Sequence, residues 1–247
     1  LTTLFTDESG QTPVISLKTP PLEYSLEPDM PTPYSTYNAI ITADGYETEE
    51  IEGIQVYTNN QSIQEIYMKP ILSTSQPKEV IVIPPPTIYG DYPNKIPEAE
   101  EKELPKESGF VVLDRVVIPE FIVVHDGDPN DNTAPNYWVP YKDYIKNVAS
   151  SEIFSTWPDA AIRANILAIN SFTLNRVDQF FVEGRNIFEE ISIIVDEMFT
   201  TYIKRPNQRQ PLLTQYCDGK RVSCPNWLSQ WGSKYLAEDG FSALQIL

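Results

Sequence analysis

The chain has 247 residues, 41% hydrophobic and 21% charged, an ordinary globular balance at a length that fits two folded units. A formal charge of −17 argues against nucleic acid as a partner, because one polyanion repels another. No apolar run reaches the roughly 20 residues needed to cross a bilayer, so membrane insertion is not expected.

Leu1 opens onto "TTLFTDESG", which reads as the middle of a domain and implies a missing start, with no signal-peptide pattern. Acidity is concentrated early. Residues 1–110 hold 18 acidic and 6 basic side chains, against 17 and 12 in residues 111–247. Fourteen of the 22 prolines also precede residue 110, which excludes long helices there. Residues 37–68 instead carry β-rich runs separated by turn residues, "YNAIITADGYE", "IEGIQVY" and "SIQEIYM". The expected unit over 1–72 is an antiparallel β-sandwich. Residues 73–110, rich in proline and glutamate, read as an extended linker open to proteolysis.

The texture changes in 111–247, where a mainly helical domain with a few strands is expected. "FVVLDRVVIPEFIVVHDG" reads as two β-branched strands broken at Pro119. In "PYKDYIKNVASSE" the spacing puts Tyr144, Ile145, Val148 and Ala149 on one helical face. A second helix starts near Pro158 and Asp159 and carries Ile162, Ile166, Ile169 and Phe172 inward. A third, in "RNIFEEISIIVDEMFTTYIKRP", turns Ile187, Ile191, Ile194, Val195 and Met198 to the core and stops before Pro206. The final "LSQWGSKYLAEDGFSALQIL" predicts two short helices joined at Gly240. The overall class is therefore α+β.

Few residues carry chemistry. With one histidine, His125, and two cysteines, Cys217 and Cys224, an all-Cys/His zinc site cannot be assembled, and no metal or other cofactor is expected. The cysteines flank "DGKRVS", a hairpin-like turn, and either pair in a short-loop disulfide or remain thiols. The informative residue is Glu152 in "ASSEIFSTWP", beside Ile153, Phe154 and Trp157. Apolar surroundings disfavour the charged carboxylate and suit it to donate a proton, as glycosidic cleavage requires. Asp143, Asp159 and Glu183 are the candidates for a second acid, without a supporting spacing. Tyr144, Trp157, Tyr216 and Trp231 offer aromatic surface for sugar rings, although core positions explain Tyr144 and Trp157 better.

The run "VPYKDYIKNVASSEIFSTWPDAAIRANILAINSFTLNRV" resembles the stage II sporulation protein D family of peptidoglycan lytic transglycosylases, and "LSQWGSKYLAEDGFSALQIL" is similar to that family's closing element. The wider set "ADGYETEEIEGIQV", "VVIPEFIVVHDG", "DYIKNVASSEI" and "LLTQYCDGKRVSCPNW" resembles the clostridial spore cortex-lytic pro-enzymes. The first resemblance implies Glu152 as the catalytic acid and Trp157, Asn170, Ser229, Gln230 and Trp231 as substrate contacts. The stretch "PPLEYSLEPDMPTPYSTYNAIITADGY" resembles prealbumin-like regulatory domains, and the second resemblance implies removal of this pro-segment by a germination protease near Val111, Val112, Val116 and Val117. It also implies spore cortex peptidoglycan as substrate and a place outside the spore core. Asn170 stands where relatives carry an arginine, and "CPNW" where they carry "GHGVG", so the zinc site of some relatives is not supported. The join "NRVDQFFVEGRN" is shorter than the relatives' loop. The rival readings are a silent peptidoglycan-binding module that assists an amidase, a bifunctional enzyme that also cuts the stem-peptide amide, and a structural coat protein.

Overall fold

The computed structural model describes residues 2–72, 80–86, 88, 116–125, 131, 133–175, 181–208, 210–222 and 224–247. Among these the fold is mixed α and β, with five helices and several small sheets, none closed into a barrel.

β1 (Tyr34–Ile41) and β2 (Glu49–Tyr57) pair antiparallel from Tyr34 opposite Tyr57 to Ile41 opposite Glu49. The register shifts between Tyr37 and Ala39, where the Asn38 side-chain oxygen accepts from the Gly53 N–H at 3.2 Å. Gly53 has φ +86°, and a Cβ there would lie 2.7 Å from the Ile83 carbonyl oxygen, so the position requires glycine. β4 (Val80–Val82), from within the expected linker, adds parallel to β2 and gives the order β1-β2-β4. Most of the remaining linker lies outside the described residues, as do Val111 and Val112. Val116 and Val117 are irregular backbone, with Val117 exposed.

Of the antiparallel sandwich expected over 1–72, the described residues show the antiparallel pair β1-β2. Among the described residues this region holds one mixed three-stranded sheet, and the third expected strand shrinks to β3 (Ser62–Ile63). Asn59, at φ +55°, turns the chain away after β2. β3 then pairs antiparallel with β7 (Ile187–Phe188), which delivers the fully buried Phe188 edge-on to Tyr57 at 5.0 Å.

In the other half, β5 (Phe121–His125) and β6 (Asn136–Pro140) form an antiparallel pair whose last residue leads straight into α1 (Tyr141–Glu152). Tyr144, Ile145, Val148 and Ala149 are buried as their spacing predicts. α2 (Asp159–Asn175) buries Ile162, Ile166 and Ile169, and Phe172 packs against Tyr216. α3 (Glu189–Met198) turns Ile191, Ile194 and Val195 inward, but it is shorter than its sequence pattern. At its start, residues 187–188 belong to β7. Beyond its end, α2 captures the chain: the Asn170 amide donates to the Phe199 and Thr201 carbonyls, and the Ser171 hydroxyl accepts from the Ile203 N–H. β8 (Tyr216–Cys217) and β9 (Leu228–Ser229) pair parallel, so the Asp-Gly turn does not close a hairpin. Cys217 and Cys224 form a disulfide. α4 (Gln230–Glu238) and α5 (Ala243–Ile246) meet through Gly240 at φ +88°.

Candidate active site

Glu152 is the last residue of α1 and is 8% exposed, within a buried polar run that also includes Ser150 and Ser151. Gln230, the first residue of α4, reaches back across the fold. Its side-chain N–H group donates to the Glu152 carbonyl oxygen at 3.0 Å and to the carboxylate Oε2 at 3.2 Å. One amide thus fixes both the end of α1 and the Glu152 side chain. The Ser150 and Ser155 hydroxyls, on either side of Glu152 in sequence, are buried without a hydrogen-bond partner. Buried orphans of this kind are uncommon.

The local sequence explains the placement. Ile153 and Phe154, fully buried, anchor the chain as it leaves α1, and Pro158 accepts the first N–H groups of α2. Phe154 meets Trp157 and Trp231 edge-on at 5.5 and 5.9 Å, and the two indoles lie 4.9 Å apart. The structure therefore joins Glu152 to Gln230 and Trp157 to Trp231. Ser229 caps α4, its Oγ accepting from the Gly232 N–H at 2.9 Å. A Cβ at Gly219 (φ +77°) would overlap that Oγ, so the turn after Asp218 also requires glycine.

Asn170 is not placed as a substrate contact. It is fully buried, accepts from the Tyr141 hydroxyl at 2.5 Å, and spends its N–H groups on the Phe199 and Thr201 carbonyls at 3.0 and 2.6 Å. It braces α1, α2 and the exit from α3. Tyr144 is likewise core, stacked on Phe181. Trp157 and Trp231 are 3% and 4% exposed, so neither presents a bare face.

The candidate second acids are elsewhere. Asp159 binds the Arg163 guanidinium at 2.7 Å. Asp143 stands nine residues before Glu152 on α1, about 13 Å of helical rise away. It lines a separate cavity of about 650 Å³ with Glu183, His125 and Trp138. Arg185, 4% exposed, also borders that cavity; it donates to the Pro84 carbonyl, while its Nε and Nη1 have no partner. Burial pushes its guanidinium down to about 10. His125 faces Asn136 at 3.0 Å, and no group of three or more His, Cys, Asp or Glu that could hold a metal occurs among the described residues.

Sequence reasoning missed Thr156, Lys234 and Tyr235. The Thr156 hydroxyl donates to Ser25 Oγ at 2.7 Å and the Trp157 indole N–H to the Ser25 carbonyl at 3.0 Å. Lys234, 2% exposed, donates to the Leu26 carbonyl at 2.6 Å, and the Tyr235 hydroxyl to the Glu27 carboxylate at 3.1 Å. Burial and the Glu27 carboxylate push Tyr235 up to about 12. No sequence signal identifies these partners, because main-chain carbonyls are present at every residue. Comparison with protein-family models, with curated proteins and with solved structures returned no match in any of the three.

Proposed function

We propose that the chain is the zymogen of a lytic transglycosylase that cleaves spore cortex peptidoglycan during germination, with Glu152 as its acid and base. The observation that carries this reading is the Glu152–Gln230 pair, a mostly buried carboxyl group held by an amide, with Trp157 and Trp231, which contact each other, following in the two segments that supply the pair. In the proposed reaction, protonated Glu152 gives its proton to the oxygen linking muramic acid C1 to the next sugar, and the C1–O bond breaks. The carboxylate then takes the proton of the muramic C6 hydroxyl, and O6 closes on C1 to give a 1,6-anhydro end. Glu152 is protonated again. A single carboxylate suffices because the nucleophile belongs to the substrate, whereas ordinary hydrolysis uses two. Asp159 is paired with Arg163 and Asp143 lines a separate cavity, which fits that economy.

On this reading, the sheet region is the pro-domain, related to prealbumin-like domains, and a germination protease cuts between residues 73 and 117. The enzyme acts in the cortex and coat region, outside the spore core. The binding-module alternative draws on Asn170, which stands at the arginine position and is fully engaged within the fold. Mass spectrometry of cortex fragments separates the two. Anhydromuramic ends made by the linker-cut chain and lost in Glu152→Gln, with the circular dichroism melt unchanged, are the expected result. Full activity in Glu152→Gln removes the catalytic assignment.

A further inference from the structure

The short 3-10 helix Leu22–Ser25 and the residues after it lie across the loop before α2 and the outer face of α4. The contact is unusual in its chemistry. Four donors of the helical half, the Thr156 hydroxyl, Trp157 indole, Lys234 ammonium and Tyr235 hydroxyl, converge on oxygens of residues 25–27. Two of those oxygens are consecutive main-chain carbonyls and one is a carboxylate. The donors come from the stretch just after Glu152 and from the helix that begins with Gln230, the two segments that also supply the candidate site. Ser25 is 1% exposed, while Leu22, Glu23 and Glu27 on the same segment face solvent. With the segment lifted, the buried Trp157 indole N–H would lose its acceptor, and the Lys234 ammonium would lose the Leu26 carbonyl and keep its ion pair with Glu238 at 2.9 Å, a cost that a replacement ligand would offset.

We infer that residues 22–27 are a built-in occupant of a saccharide groove, holding the place of the carbonyl and carboxylate oxygens of an N-acylated, peptide-bearing glycan. The inference rests on the glycan-cleaving reading above and deepens it. Trp157 and Lys234 are donors to substrate oxygens, the Trp157–Trp231 pair is the stacking surface beneath, and the segment blocks both until it leaves. The block is separate from the linker. The segment is continuous with β1, and the Tyr37 hydroxyl donates to the Lys18 carbonyl at 2.6 Å, so after a cut beyond residue 73 it stays with the sheet and clears the groove only when substrate displaces the two together.

The test uses the full chain with a site-specific protease sequence in place of residues 28–32, folded intact and then cut, in a Glu152→Gln background that binds without turnover. Binding of chitotetraose and of a disaccharide-tetrapeptide is followed by tryptophan fluorescence. Saturable binding after the cut, at least about tenfold tighter than before it and weakened about tenfold by Lys234→Met, is expected for the loss of one charge-assisted hydrogen bond. Size-exclusion chromatography shows whether the N-terminal fragment leaves. A fragment that leaves without improving binding overturns the inference, as does one that stays and is not displaced by saturating disaccharide-tetrapeptide. With Glu152 restored, binding without anhydro product sinks the lytic reading and spares the groove. Equal product from the intact and the cut chain sinks the block and spares the chemistry.

Discussion

The sheet region and the helical region reach their cores by different routes. The helices bury whole faces against one another, with Ile145, Ala149, Ile166, Ala168, Ile169 and Val195 at or below 1% exposure. The sheet β1-β2-β4 has far less of its own to bury. Ile51 and Tyr57 are its deeply buried apolar residues from β1 and β2, while Ile40, Val80 and Val82 stand 65%, 42% and 63% exposed. Tyr57 belongs to the helical core, between Phe154 and Phe188. Gln55 is tied to Asn186 in both directions, its N–H donating to the Asn186 side-chain oxygen at 3.1 Å and its carbonyl accepting at 2.8 Å. The lesson is that a covalent linker and a physical boundary need not coincide. The expected division into 1–72 and 111–247 describes the chain, whereas the packing joins its two ends.

Tyr57→Ala tests that seam most severely. Removing a buried aromatic side chain between two rings costs about 3–5 kcal/mol. Because the ring serves both regions, urea unfolding should remain one transition at a lower midpoint. Two separated transitions, with the helical one unmoved, would make the regions independent. The same coupling predicts that a chain cut in the linker still elutes as one species on size-exclusion chromatography under native conditions.

Asn170→Ala comes next and probes the helical region alone. The change strips three hydrogen bonds and leaves two carbonyls without their donor, for an expected loss of about 2–3 kcal/mol. The comparison sharpens if stability falls while saccharide binding by the chain cut at residues 28–32 holds. Lost binding at unchanged stability would return Asn170 to the substrate-contact place that the resemblance gave it.

What could be read in advance follows the same division. α1 and α2 were legible because four or more apolar residues recur at helical spacing, a signal that survives without knowledge of the partner. The Gly240 joint was legible for its backbone demand. β3 and β7 were not, since two-residue strands separated by more than 120 positions carry no periodicity and are selected by backbone pairing and by Phe188 meeting Tyr57. The truncated α3 was hidden for a related reason, as its end is set by Asn170 and Ser171 on another helix. Glu152 stood out by its apolar neighbours. Gln230 came only from a resemblance, and its reach of 78 residues to the carboxylate belongs to the tertiary fold.

The smallest expected effect concerns the charges that join α1 to α3. Burial disfavours the Asp196 carboxylate, but Lys146 and Lys142, at 3.0 and 3.1 Å, outweigh it and hold the group below the usual carboxylate range. A lowered folded-state value means that the unfolded chain binds more protons in acid. The stabilisation is therefore complete above the unfolded aspartate value near 3.9 and fades as pH falls through the folded value. Asp196 is 44% exposed, so solvent screens the pair and the contribution at neutral pH is well under about 1 kcal/mol. Urea midpoints of the wild type and Asp196→Asn should differ slightly at neutral pH, converge in acid and move together in high salt. A difference that persists in acid and salt would show that the Asp196 side chain holds α1 to α3 by packing, making that junction more like the Tyr57 seam than an exposed ion pair.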